Sequence, residues 1–169
     1  PLIVLLVLLA AALAALAAWQ VARRRRREAA KRAVVQTLAP GDQRIALVLN
    51  PVKAQAPAAR TLLAEACELA GWDPPLILET TRQSPGYEQA RRAVELGADV
   101  VLAGGGDGTV REVARALANS PAALGLLPLG TGNLLARYLG IPVADLAASV
   151  RTALHGDQRR IDMGNIDLL

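Results

Sequence analysis

The chain has 169 residues, 53% of them apolar, 20% charged and 2% aromatic, with a formal net charge of +4. That apolar fraction excludes an intrinsically disordered chain. A single Cys excludes an intramolecular disulfide framework and any multi-cysteine zinc site, and a single His excludes His-pair metal centres and argues against a Ser-His-Asp triad.

Charge and apolar content are segregated along the chain. Leu2 to Ala22 is a run of 21 residues without an ionisable side chain, mostly Leu, Val and Ala. As a helix it would span about 32 Å, close to the hydrocarbon thickness of a bilayer. Trp19 sits near its end, where an indole ring favours the headgroup region. Arg23–Arg27 follows at once, and a basic flank of this kind stays on the cytoplasmic side. Residues 1–22 are therefore predicted as a transmembrane anchor, with everything after Arg23 in the cytoplasm. A cleaved secretory signal would carry its positive charge before the apolar run, not after it. Arg23–Arg27 is also placed to touch anionic headgroups.

Arg23 to Arg32 holds seven basic residues and one acidic residue, a local +6, so the remainder carries −2. The basic character thus belongs to one short segment. It is not the footprint of a nucleic-acid-binding face, and no nucleic-acid partner is expected. Residues 23–40 are predicted as a basic juxtamembrane stalk, helix-compatible over Glu28–Leu38 and broken at Ala39-Pro40-Gly41-Asp42.

A compact domain is predicted from residue 41 to 169. Arg44–Leu49 reads as a strand ended by Asn50-Pro51. Ala58–Ala70 has helical apolar spacing and stops at Gly71. Pro75–Glu79 reads as a strand, and Gly86–Leu96 as a helix stopped by Gly97. Asp99–Ala103 is a buried strand, and Thr109–Ala118 a helix closed by Asn119-Ser120-Pro121. Leu124–Leu127 is a strand, Thr131–Leu139 a short helix stopped by Gly140, and Val143–Leu154 a further helix. Arg159–Met163 is predicted as a last strand. Strands alternating with helices of this length imply parallel strands joined by right-handed crossovers. The four main strands are apolar throughout, as when helices cover both faces. The predicted fold is an α/β, Rossmann-like open parallel sheet with helices on both faces, preceded by one N-terminal transmembrane helix. In such sheets ligands bind beyond the carboxyl ends of the strands.

Three strand ends on that edge carry unusual residues. The strongest is Gly104-Gly105-Gly106-Asp107-Gly108-Thr109, between a strand and a helix. Glycines let a ligand approach the backbone, and successive N–H groups at a helix start bind phosphate oxygens. Thr109 is placed to cap the helix or donate to a phosphate. Asp107 suits a hydroxyl, a water or a Mg²⁺ ion. The pattern is neither a Walker A loop nor a G-x-G-x-x-G fingerprint. The second is Leu127-Pro128-Leu129-Gly130-Thr131-Gly132-Asn133, again a Gly-rich turn before a helix. The third is Asn50-Pro51-Val52-Lys53, where Lys53 is within reach of a phosphate.

Together these residues resemble the catalytic domain of diacylglycerol kinases and related lipid kinases. Gly105–Thr109 is similar to that family's GGDGT signature, and Glu112 follows as in its GGDGTxxE form. Leu127–Asn133 resembles its second signature, LPLGTGN. Asn50-Pro51 is similar to the Asn-Pro after its first strand. Thr80-Thr81, with Gly86 shortly after, resembles the Thr after its second strand. Order and spacing match over about residues 43 to 165.

The resemblance implies that ATP, with Mg²⁺, binds against these loops with its phosphates near Gly104–Val110. It implies an ATP site of Asn50, Pro51, Lys53, Thr81, Gly104, Gly105, Gly106, Asp107, Gly108, Thr109, Glu112, Gly130, Thr131, Gly132 and Asn133, with Asp107 also a candidate catalytic group. The implied reaction is transfer of the γ-phosphoryl group to a lipid hydroxyl, as in a diacylglycerol-type kinase, and the predicted anchor suits a lipid substrate. The acceptor is left open between diacylglycerol, a sphingoid base, an isoprenoid alcohol and a glycolipid. The chain departs from the family pattern at Leu134, where many relatives carry Asp, and in its first loop, NPVKA, which lacks a Ser-Gly pair. Family members usually continue into a β-rich domain holding the acceptor site and a catalytic carboxylate. This chain, ending on an apolar Ile-Asp-Leu-Leu, reads as the N-terminal portion of a longer protein. The competing readings are an NAD kinase, which also carries GGDGT, and a membrane-tethered, non-catalytic nucleotide-binding module.

Among single residues, Cys67 reads as core packing and His155 as suited to the negative end of a helix. Trp72 reads as packed under a loop. Arg91, Arg92, Arg111 and Arg115 read as solvated helix-surface residues.

Overall fold

The computed structural model describes residues 43–164. Four strands, β1 (Ile45–Leu49), β2 (Leu76–Glu79), β3 (Val100–Gly105) and β4 (Ala123–Pro128), form one sheet in the order β2-β1-β3-β4. All pairings are parallel. Five helices connect or follow the strands: α1 (Ala56–Leu69), α2 (Tyr87–Glu95), α3 (Asp107–Leu117), α4 (Leu134–Tyr138) and α5 (Leu146–His155).

Strand side chains alternate between two cores because the strand period is two. Ile45, Leu47, Leu49, Val100, Leu102 and Leu127 meet α1 and α5, through Ala59, Leu63, Cys67, Val150 and Leu154. Ala46, Val48, Val101, Ala103 and Leu126 meet α2, α3 and α4, through Ala90, Ala93, Val113, Leu117 and Ala136. All five residues of β1 are buried, which explains its unbroken apolar run. Edge strand β2 is only partly covered.

The predicted stops act as expected. After α1, Trp72 N donates to Cys67 O and Gly71 N to Glu68 O, with Gly71 at φ +71°. The same paired bonds close α2 at Gly97 and α4 at Gly140. The positive φ that this closure demands strains any residue with a Cβ. At the start of α5, the Asp145 carboxylate accepts from Ala148 N at 2.9 Å, so the helix begins later than the apolar pattern suggested.

Some boundaries differ. The helix expected from Thr109 begins at Asp107, with Gly106 as its N-cap, so Thr109 is not the cap. The helix expected over 131–139 is only Leu134–Tyr138, because Asn133 adopts φ 51° and ends a separate turn. Arg159–Met163 forms no strand: it pairs with no other strand among the described residues. Its apolar members, Ile161 and Met163, stay about half exposed. The anchor expected over 1–22 and the stalk over 23–40 lie outside the described residues. Among the described residues, no helix is long and apolar enough to cross a membrane.

Trp72 packs on the first core, with its ring centroid 5.7 Å from that of His155. Cys67 is fully buried, and burial raises its thiol pKa, so it stays protonated and unreactive.

The strand order reverses direction between β1 and β3. The loops after these two strands therefore diverge to opposite faces and leave a crevice. The register aligns their ends: Leu49 lies opposite Gly104, and Gly105 opposite Pro128. Asn50 N donates to Gly104 O, Thr80 N to Leu49 O and Leu129 N to Gly105 O, so four loops leave the sheet at one edge.

Gly125 tests this packing. A Cβ there would overlap Leu102 Cδ2, and Leu102 is fully buried. Gly125→Ala should therefore cost about 1–3 kcal/mol, read as a lower urea midpoint at constant slope. An unchanged midpoint would mean that Leu102 moves aside freely.

Candidate functional site

Each glycine of the β3–α3 turn has its own role. A Cβ on Gly104 would lie 2.8 Å from Leu47 Cδ1, so Gly104 serves the core. A Cβ on Gly105 would lie 2.5 Å from Thr109 Oγ1, so Gly105 lets Thr109 fold back over the strand end. Thr109 is accordingly buried in the first turn of α3. A Cβ on Gly108 would meet nothing within 4 Å, so that side of the turn is open.

The first turn of a helix leaves N–H groups without intrahelical partners. Here the N–H groups of Asp107, Gly108 and Thr109 have no acceptor among the described residues. They lie at the positive end of an 11-residue helix. Unpaired amides, an open side and a helix start together suit phosphate oxygens.

The β4–α4 turn packs directly on this one. A Cβ on Gly130 would lie 2.5 Å from Gly106 Cα, so the two backbones touch. Asn133 closes the turn on itself. Its Oδ1 accepts from Gly130 N at 3.0 Å, and its Nδ2 donates to Gly130 O at 2.6 Å. These two hydrogen bonds explain why buried Asn133 holds a left-handed conformation. Arg137 Nε adds a donor to Gly132 O at 2.8 Å.

Asp107 links the two turns. Its Oδ1 accepts from Leu134 N at 2.7 Å, satisfying the first amide of α4. Its Oδ2 lies 2.7 Å from where a Gly132 Cβ would stand, so Gly132 keeps that space free. The Asp107 carboxylate is thereby anchored by a charge-assisted hydrogen bond.

The other expected residues fall in two groups. Gly104–Thr109 and Gly130–Asn133 come together at one edge, with exposed Thr131 on the second turn. Asn50 and Pro51 lie at the same edge, where Asn50 Oδ1 accepts from Val52 N at 3.3 Å. Lys53 follows, half-buried and without a carboxylate partner among the described residues. Thr81 belongs to the β2–α2 loop, where its Oγ1 accepts from Ser84 N at 3.0 Å.

Glu112 pairs with arginines of its own helix. Its carboxylate is held by Arg115 at 2.7 Å and Arg111 at 3.6 Å. Those arginines, like Arg91 and Arg92 beside Glu95, pair with carboxylates on their own helices instead of lining the phosphate edge. Among the described residues, no group of three His, Cys, Asp or Glu could hold a metal ion. Asp107 is the carboxylate at the open turn.

The profile of the diacylglycerol kinase catalytic domain matches residues 44–166. The chain belongs to that family. It is 42% identical over 104 residues to a Pseudomonas fluorescens protein named "Probable lipid kinase YegS-like", covering 60% of this chain and 34% of the relative. It is 40% identical over 91 residues to a diacylglycerol kinase of Bacillus subtilis, covering 52% of this chain and 30% of the relative. A crystal structure of a diacylglycerol kinase from Bacillus anthracis superposes with a TM-score of 0.53 at 25% identity, covering 64% of this chain and 38% of that one. The chain thus spans about a third of the length of these relatives. Within this diacylglycerol kinase domain, the two touching glycine turns and their Asp107 link are the built feature of the carboxyl edge.

Removing the link should be measurable. Asp107→Ala should cost about 1 kcal/mol, as loss of a helix cap does. It should also speed hydrogen exchange at the Leu134 amide. Asp107→Asn, whose Oδ1 still accepts, should keep that amide protected. Equal exchange in all three proteins would show that the bond does not hold the turn.

Proposed function

We propose that this chain is the nucleotide-binding part of an ATP-dependent lipid kinase, transferring the γ-phosphoryl group to a lipid hydroxyl of the diacylglycerol type. The observation that carries this reading is the open first turn of α3, its amides unpaired, at the crevice where the strand order reverses. Membership of the diacylglycerol kinase family supports the phosphate as that of ATP.

In the transfer, the lipid hydroxyl oxygen forms a bond to the γ-phosphorus. The bond to the bridging oxygen breaks, ADP leaves with the electron pair, and the hydroxyl proton passes to a base. ATP supplies the transferred group, and Mg²⁺ supplies charge neutralisation when bound. The chain's own residues do the positioning. The N–H groups of Asp107, Gly108 and Thr109 would hold phosphate oxygens without a side chain in the way. The Gly130–Asn133 turn, closed by its own Asn, fixes the opposite side. Asp107 keeps one oxygen on Leu134 N and leaves Oδ2 to meet a metal ion or its water, in keeping with the few carboxylates Mg²⁺ takes beside phosphates. Lys53 is placed to add a positive charge at the same edge.

The apolar run 1–22 and Arg23–Arg27 complete the proposal: a single-pass anchor with a basic cytoplasmic flank, holding the kinase domain at the surface where its acceptor resides.

The test uses the natural gene product in membranes, with γ-labelled ATP, Mg²⁺, a mixed lipid extract and NAD. Label should enter the organic phase, and chromatography of the product names the acceptor. Label on NAD alone would replace the reading with an NAD kinase, and bound ATP without transfer would leave a nucleotide-binding module. Asp107→Asn keeps the Leu134 bond but removes the charge, so turnover should fall about a hundredfold or more. Wild-type turnover would remove that charge from the mechanism.

A further inference from the structure

The junction of α2 and α3 holds a group of side chains that the phosphate site does not use. Gly86, at φ +141°, lies against α3: a Cβ there would meet Val113 Cγ2 at 3.3 Å, Thr109 O at 3.4 Å and Glu112 Cβ at 3.5 Å. The next residue, Tyr87, opens α2. The guanidinium of Arg115 stands over its ring, with Cζ 4.4 Å from the centroid. Arg115 Nη2 also donates to Glu112 Oε2 at 2.7 Å. The Glu112 side chain is only 14% exposed, and Arg111 Nε lies 3.6 Å from its other oxygen. Arg115 is thus held from two sides, by a ring on the neighbouring helix and a carboxylate on its own. A planar guanidinium can stack and fork its hydrogen bonds at once.

This clamp joins two parts of the site. On one side, α3 carries the unpaired amides in its first turn, and Thr109 belongs to both that turn and the Gly86 contact. On the other, α2 is tied to the loop that carries Thr81. Gln89 Nε2 donates to Glu79 O at 3.0 Å and to Ser84 O at 3.2 Å, and Ser84 Oγ donates to Gln89 Oε1 at 2.9 Å. Ser84 N in turn donates to Thr81 Oγ1. The path from Thr81 to the first turn of α3 therefore runs through Gly86, and Tyr87 fastens the same helix at its last turn through Arg115.

We infer that Tyr87 and Arg115 are positioning residues for the nucleotide: by pinning the start of α2 to α3, they set the spacing between the Thr81 loop and the amide cradle. Glu112 acts in the same clamp, holding Arg115 over the ring. The inference rests on the nucleotide reading above and extends it to residues remote from the phosphate.

The test is steady-state kinetics and equilibrium binding of ATP by the natural gene product and its variants. Tyr87→Leu should raise KM for ATP and weaken ATP binding by about three- to tenfold, the scale of a lost cation–π contact. Turnover number and KM for the lipid should stay within about twofold, since only ground-state nucleotide binding is touched. Tyr87→Phe keeps the ring and should restore the wild-type KM. Arg115→Gln, at a half-exposed position, should repeat the Tyr87→Leu effect, and the double variant should be no worse than either alone. A Tyr87→Leu protein with unchanged KM for ATP, a loss in turnover alone, or additive effects in the double variant would overturn the inference and leave the ATP reading standing. A wild-type protein that binds no ATP would overturn both.

Discussion

The carboxyl edge of this domain depends on one close approach, the backbone contact of Gly106 with Gly130. Gly130 is the position that makes it possible: a Cβ there would be driven into Gly106 Cα. With the backbones touching, Asp107 can reach across to Leu134 N, and Asn133 can lock its turn beneath. The two turns then act as one surface. The unpaired amides of Asp107, Gly108 and Thr109 are then fixed in place with no flexible side chain to order.

The sheet beneath provides the rigidity that the edge needs. Its central strands are buried on both faces, and the register brings β1, β3 and β4 to an end at nearly the same level. Small residues do much of this work. Ala59, Ala90, Ala93 and Ala136 are buried between their helices and the sheet, while α3, which has no side-chain cap, is held by its own buried Thr109, Val113 and Leu117. An uncapped helix start in the interior would leave polar groups unsatisfied. At an open edge it becomes a place for a ligand.

Charge is organised in the same spirit. The arginines of α2 and α3 are taken up by Glu95 and Glu112, so they stabilise helices and do not crowd the cradle. Asp107 brings one negative charge to the cradle, tied down by an amide. Lys53 stands in the loop that follows β1 at the same edge. On the proposed function, this division would leave the backbone to bind phosphate and the side chains to position and neutralise.

Much was legible in the residues themselves. Unbroken apolar runs identified β1 and β3 because both of their faces are covered, and Gly71, Gly97 and Gly140 marked helix ends because each needs a positive φ. The glycine-rich turns were legible as a special edge, and the structure brings them into backbone contact there. Three features were not legible. The strand expected at Arg159–Met163 failed because a strand needs a partner edge, which local composition does not report. The partners of Glu112, Arg115 and Arg111, depend on side-chain direction on α3, which a motif does not report. The bond from Asp107 to Leu134 spans 27 residues and ends on a backbone amide, a group common to nearly every residue. Local chemistry thus determined most of the elements, the parallel sheet and the glycine-rich edge. Which glycine serves the core, which leaves the turn open and what Asp107 holds were decided only by the tertiary structure, because these are matters of approach between segments distant in the chain.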